Sequence, residues 1–415
     1  MIRAAYQIET PLDPSLVAEM MAGEQSSGTF VKVKGETEAI RERFGARVTH
    51  LEVLEELDSP SLHSAYLERK GVKGPWKKVA VEIEYPEDNV GVNLPNLAAT
   101  VAGNLFDLGE LTGLRLMTLQ LRPEYRDRYS LPTHGIAGTR SAAGVANRPL
   151  FGTILKPNIG MSPIETADLV EQLCEAGVDF IKDDEIAGNH PYAPVEERVS
   201  AVMQRVRQFR ERTGRNVMVA FNITDELDAM RRHADHVQAE GGSCVMASLN
   251  WCGLSALQSL RASTPLAIHG HRNGFGAFAR HPALGIDFSA YQTLYRLAGI
   301  DHMHVHGMGG KFADQTDEVA HAAKLSLTAL SGTDDRVMPV FSSGQWAGTL
   351  PLTCTKIQSA DFMFLAGGGI LAHPDGVAAG VASLQQAWQS IEAGTPLECA
   401  NRPALARALD FFGGR

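Results

Sequence analysis

The feature that most constrains this chain is a rhythm, in which short apolar runs alternate with longer amphipathic stretches over its last two thirds. The runs are "LFGTILKP" from Leu150, "VDFIKDD" from Val178, "NVMVAFNI" from Asn216, "SCVMASL" from Ser243, "PLAIHGH" from Pro265, "IDHMHVH" from Ile300, "VMPVFSS" from Val337 and "ADFMFLAG" from Ala360. Strands that are apolar almost throughout belong to a parallel sheet covered on both faces. Eight of them, with helices between, over about 235 residues predict a (β/α)8 barrel. The first intervening helix is marked by its ends: Ser162, Pro163 and Glu165 form a capping box and Gly177 stops it. Ile164, Ala167, Val170, Leu173 and Cys174 are its expected buried stripe. Similar stripes run through Val195, Val199, Val202 and Val206, and through Val319, Ala322, Ala323 and Leu327.

Ahead of the barrel the pattern differs. "AAYQIET", "TFVKVKG", "RVTHLEVLEE" and "KKVAVEIEYP" read as strands, "LPNLAATVAGNLF" as a helix and "GLRLMTLQLRP" as a further strand. This predicts an α+β, ferredoxin-like domain over residues 1–130, followed by the barrel with a C-terminal helical extension over 131–415.

Composition removes several classes of function. The 48 acids outnumber the 38 Lys and Arg and no basic block occurs, so nucleic acid is not an expected partner. The five cysteines are widely spaced with no C-x-x-C pair, which argues against zinc knuckles and disulfide frameworks. The opening "MIRAAYQIETPLDP" has no signal-type apolar segment and no long uncharged apolar run follows, so a cytoplasmic protein without membrane contact is expected.

Polar residues gather where the barrel strands should end, which is where such barrels place their chemistry. Lys156 and Asn158 end the first strand, Lys182, Asp183, Asp184 and Glu185 the second, and Asn222 the third. His269, His271 and Arg272 end the fifth, and His302, His304 and His306 the sixth. "SSG" (Ser342 to Gly344) ends the seventh and "AGGG" the eighth. Two readings fit "KDDE": a lysine paired with its own acids, or two carboxylates and a CO2-modified, anionic Lys182 offering hard oxygen ligands to Mg²⁺. The glycines after the eighth strand, beside "SSG", suit a phosphate held by backbone amides.

The ordered motifs "GEQSSGTF", "AGNLFDL", "HGIAGTR", "RPLFGTILKPNIG", "DFIKDDE", "HGHR", "DHMHVHGMGGKF", "SSGQ" and "AGGGILAHP" resemble the RuBisCO large-subunit superfamily, and within it the RuBisCO-like (form IV) proteins. The resemblance implies that Lys182 carries a carbamate and holds Mg²⁺ with Asp184 and Glu185. It implies that Lys156 handles a proton, that His271 is catalytic, and that Lys311 lies on a mobile loop and steadies a carboxylate. Arg272, His304, Ser343 and Gly344 would contact one phosphate site, and Gly367, Gly368 and Thr29 another. Glu24, Thr29 and Asn104 would complete the site of a neighbouring subunit in a homodimer. The chain departs from the family at Asn158, which replaces a second lysine, at Gln345, which replaces a glycine, and in the loop "GMGGKFAD".

These departures argue against CO2 fixation on ribulose bisphosphate. The resemblance implies instead Mg²⁺-dependent decarboxylation, or carboxyl migration and hydrolysis, of a phosphorylated 3-oxo sugar acid of the 3-oxo-isoapionate 4-phosphate type. Two alternatives stand beside it: an enolase or isomerase of methionine salvage acting on a methylthio-sugar phosphate, and a non-catalytic sugar-phosphate sensor. Metal-dependent amidohydrolases also combine H-x-H with a carbamylated lysine, but place H-x-H on the first strand.

Overall fold

A computed structural model of the chain describes residues 1–28, 33–330, 332–399 and 401–414. They form two compact units, one of residues 1–130, 274–298 and 330–333, the other of 131–273, 299–329 and 334–415.

The first unit is built on strands β1 (Ile2–Thr10), β2 (Arg47–Leu57), β3 (Trp76–Tyr85) and β4 (Gly113–Leu121). Strand β1 pairs antiparallel with both β3 and β4, and β2 lies outside β3. The helix Pro14–Glu24 follows β1 and the helix Leu94–Ala102 follows β3, giving the two interleaved βαβ halves of a ferredoxin-like domain. Period-two alternation sets which residues face inward. Ile2, Ala4, Tyr6 and Ile8 are buried on β1, as are Val79, Val81, Ile83 and Tyr85 on β3. The hydroxyls of Tyr6 and Tyr85 meet at 3.1 Å inside this core, and Tyr6 also donates to the Val101 carbonyl. The edge strand β2 carries Glu52, Glu55 and Glu56 and two register irregularities, features that discourage pairing with another chain. Of the expected strand "TFVKVKG", residues 29–32 lie outside the described residues, and Val33–Gly35 are not in a strand.

A short strand that the apolar pattern does not reveal, β10 (Leu284–Ile286), pairs parallel with β4 in this unit. In sequence it falls between two barrel strands. Its Gly285 has φ of 121°, and a Cβ there would meet the Phe278 carbonyl oxygen at 1.7 Å. Only glycine permits that approach.

The second unit contains the eight strands read from the sequence: β5 (Leu150–Ile154), β6 (Phe180–Lys182), β7 (Met218–Asn222), β8 (Cys244–Ser248), β9 (Ala267–His271), β11 (His302–His304), β12 (Met338–Phe341) and β13 (Met363–Leu365). They close as a parallel barrel in the order β11-β12-β13-β5-β6-β7-β8-β9. Alternate residues fill its interior, among them Leu150, Phe180, Met218, Met246, Met338 and Leu365. The other set, including Phe151, Ile181, Val245, Ile268 and Phe341, is buried as well, which is why the runs show no alternation.

The helix Pro163–Ala176 has the expected ends: a reciprocal Ser162–Glu165 capping box and Gly177 in the left-handed conformation. Its expected stripe needs one correction. Ile164 is 61% exposed, and Thr166 is buried instead. In the first turn, the apolar side chain lies on the outer side and the threonine hydroxyl bonds back to the Ser162 carbonyl.

Candidate active site

Lys182 is the last residue of β6 and its side chain enters the barrel completely buried. Its Nζ donates to the Asp183 carbonyl at 2.7 Å and lies 3.4 Å from Glu185 Oε2 and from Met246 Sδ. Desolvation pulls its pKa below the ordinary lysine value, although the three following acids oppose the shift. A neutral amine is the form that can add CO2.

The three acids after Lys182 have three different surroundings. Asp183 faces the surrounding helices, where Oδ2 meets Arg198 at 3.2 Å and accepts the Asn222 amide at 2.9 Å. Asp184 is buried and accepts from Lys156 Nζ at 2.6 Å; the same ammonium donates to Asn158 Oδ1 at 3.0 Å. Glu185 is part-exposed, with Oε2 3.6 Å from His271 Nε2. Burial raises its pKa, but the neighbouring Lys182 ammonium outweighs this and lowers it.

His271 accepts the Asn273 amide on Nδ1 and its ring lies 4.3 Å from that of His304. Burial keeps it well below the usual histidine pKa. Arg272 is also buried, with its guanidinium 3.6 Å from Asp314, whose other oxygen is 2.6 Å from His306 Nδ1. Lys311, three residues before Asp314, is exposed and sits 5.5 Å from the Phe312 ring centroid.

At the end of β12, Ser343 and Gly344 are both left-handed, with φ of 71° and 69°. Gln345 is buried beneath them, and its amide donates to the carbonyls of Ser343 and Met308, tying this turn to the segment after β11. Gly367 and Gly368 open the short helix Gly367–Leu371 after β13. A Cβ on Gly368 would meet nothing within 4 Å, and one on Gly367 only Ile154 at 3.7 Å, whereas one on Gly369 would lie 2.7 Å from Gln345 O. Packing therefore demands glycine only at the third position. The first two leave backbone accessible for close approach by an anion.

The structure thus brings Lys156, Lys182, Asp184, Glu185 and His271 into one connected cluster. Arg272 is tied to Asp314 instead. Glu24 and Asn104 belong to the first unit, where Asn104 Nδ2 donates to Glu24 Oε1 at 3.4 Å. Thr29 lies outside the described residues. A shallow, open cleft lies beside Asp184, lined also by Pro157, Asn158, Ile159, His190 and Tyr192. Asp314 and Tyr192 had no signal in the sequence, because a contact made through a loop leaves no periodic trace.

The donor set fits a carbamate-type metal site. Among the described residues no group of three or more His, Cys, Asp or Glu could hold a metal ion. Two carboxylates need a third anionic oxygen, and the buried Lys182 beside them would supply it as a carbamate.

This barrel, with its ferredoxin-like companion and its lysine-acid strand end, defines a recognisable class. Residues 135–412 match the ribulose bisphosphate carboxylase large chain, catalytic domain, and residues 2–125 match the N-terminal domain of the same chain. The protein belongs to the RuBisCO large-chain family, among its RuBisCO-like members. It is 47% identical over 99% of its length to a 3-oxo-isoapionate-4-phosphate transcarboxylase/hydrolase of Xanthobacter autotrophicus, covering 99% of that protein. It is 38% identical to a 3-oxo-isoapionate-4-phosphate decarboxylase of Rhizobium rhizogenes, over 99% of this chain and 98% of that one. A crystal structure of a rubisco-like protein from Burkholderia fungorum superposes with a TM-score of 0.94 at 58% identity, covering 99% of both chains.

Proposed function

We propose that this protein is a Mg²⁺-dependent enzyme that cleaves or moves the carboxyl-bearing C–C bond of 3-oxo-isoapionate 4-phosphate, and that it does not fix CO2 on ribulose bisphosphate. The observation that carries this reading is the full-length similarity to relatives named for that substrate, the transcarboxylase/hydrolase being the nearer of the two. The clustered Lys156, Lys182, Asp184 and Glu185 support it.

Carbamylated Lys182, Asp184 and Glu185 would hold the cation, which when bound stabilises negative charge developing on neighbouring substrate oxygens. Lys156, held by Asp184 and Asn158, carries a proton at Nζ that it can return to the carbon losing its carboxyl group. Loss of CO2 from a 3-oxo acid needs no prior proton abstraction, so a lysine with an asparagine in place of a second cation suffices. Lys311 is assigned to the departing carboxylate. His271, kept neutral by burial and with Nδ1 taken by the Asn273 amide, carries its proton on Nε2 and can donate it to a substrate oxygen.

The phosphate falls to Ser343, Gly344, Gly367 and Gly368 with Thr29, while Arg272 takes a second anionic or polar group of the substrate. Asp314 supports a single phosphate, because its carboxylate at Arg272 opposes a second dianion. Glu24 and Asn104 are assigned to the site of a neighbouring subunit in a homodimer. Mixing inactive Glu24→Gln and Lys182→Ala chains would then restore up to about a quarter of the activity, since a mixed dimer keeps one intact site.

Incubation with 3-oxo-isoapionate 4-phosphate, Mg²⁺ and bicarbonate tests the reading. C–C cleavage or carboxyl migration is expected, with no label entering phosphoglycerate from ribulose bisphosphate and labelled bicarbonate. Carboxylation of ribulose bisphosphate with an inert 3-oxo acid would overturn it.

A further inference from the structure

Inside the barrel, below the lysine-acid cluster, three buried histidines form one hydrogen-bonded row. Thr139, on the helix Gly135–Ala143, meets His302 Nε2 at 2.8 Å. His302 Nδ1 lies 3.2 Å from His269 Nδ1, and His269 Nε2 lies 2.7 Å from His304 Nε2. His304 Nδ1 lies 3.0 Å from Ser342 Oγ, at the end of β12.

Such contacts between ring nitrogens leave the proton positions open unless one end is fixed, and here one end is. The Thr139 hydroxyl donates to the Gly135 carbonyl, which can only accept. Thr139 Oγ must therefore accept from His302, whose proton is on Nε2. His302 Nδ1 is then an acceptor, so His269 carries its proton on Nδ1. His269 Nε2 accepts in turn, so His304 carries its proton on Nε2. The last acceptor, His304 Nδ1, takes the hydroxyl proton of Ser342. Each ring is neutral in this arrangement, and burial independently drives the pKa of all three down, that of His302 to about 4. The Phe180 ring stacks on His269 at 5.2 Å and meets His302 edge-on at 5.9 Å, closing those sides to other polar partners.

We propose that Thr139 is a positioning residue that fixes the tautomer of His304 through His302 and His269, and so makes Ser342 Oγ an acceptor for a substrate hydroxyl. His304 then has no N–H to offer a phosphate, contrary to the role that family resemblance implies for it. The kinetic consequence rests on the sugar-acid reading above; the tautomer assignment does not.

Nitrogen NMR of protein labelled at histidine tests both. In the wild type His304 is expected to be protonated on Nε2 and bare on Nδ1. Thr139→Val removes the acceptor at the fixed end, so the row is expected to reverse and the His304 proton to move to Nδ1. With it, kcat/KM for the 3-oxo acid should fall about tenfold, the size of one lost buried hydrogen bond. Thr139→Ser keeps the hydroxyl and should restore both readouts. Wild-type His304 protonated on Nδ1 would overturn the proposal even if Thr139→Val failed to fold. A Thr139→Val spectrum identical to wild type would do the same. Inactivity toward the acid with the expected tautomers would instead count against the substrate assignment alone.

Discussion

At the N-terminal ends of the barrel strands, buried acids are saturated with fixed donors; at the C-terminal end of β6 only Asp183 is held that way, by Arg198 and the Asn222 amide, while Asp184 and Glu185 face lysines. Asp301, just before β11, accepts the amides of Thr133, His134, Gly135 and Ile268 and pairs with Arg261 at 3.1 Å. Asp179, just before β6, accepts the Phe151 amide and both forks of Arg148. Asp184 and Glu185, at the other end of β6, face the flexible ammonium groups of Lys156 and Lys182. An arginine and four amides cannot be exchanged for a metal without losing the fold. A lysine can release its carboxylate, and once carbamylated it can join it as a ligand. The difference separates acids that build the barrel from the two for which a metal-binding role is proposed.

Asp301→Ala should give the largest effect, because it strands Arg261 in a buried site. Unfolding free energy should fall by about 3–5 kcal/mol, read by denaturant titration. A smaller loss than that of an exposed pair would break the contrast. Lys182→Ala should do the reverse: turnover with Mg²⁺ falls by more than about a hundredfold, since a ligand costs at least what its outer partners do, while the melting transition stays cooperative. Removing Mg²⁺ with a chelator should silence the wild type equally and leave Lys182→Ala unchanged, and restored Mg²⁺ should rescue only the wild type. The smallest effect is expected from Asp314→Asn, which removes one negative charge beside Arg272. Inhibition by ribulose bisphosphate should tighten several-fold, on the order of 1 kcal/mol, with little change for a monophosphate.

Both ends of this contrast were partly legible in the sequence, for different reasons. The eight strands declared themselves because a doubly covered sheet needs uninterrupted apolar runs, and the capping box announced its helix. Strand β10 did not, since three residues around a glycine carry no period. "KDDE" announced a charged strand end but not the division of labour within it. Asp183 turns to Arg198 because side chains alternate across a strand, and that partner lies on a helix fifteen residues on. Ile164 departs from the expected stripe because at about 100° per residue it lies well off the face of Thr166, Ala167, Val170, Leu173 and Cys174, which is the face that packs inward. The Thr139–Ser342 row was invisible for a plainer reason: its members come from four separate segments, and only the closed barrel lines them up.

The most direct test of the account is whether Lys182 becomes a ligand. Purified protein with labelled bicarbonate and Mg²⁺ should show, by carbon NMR, one carbamate carbon per chain. The signal should vanish in Lys182→Ala and persist in Asp183→Asn, whose changed side chain faces Arg198. Full turnover of the 3-oxo acid by a protein with no carbamate signal would contradict the account.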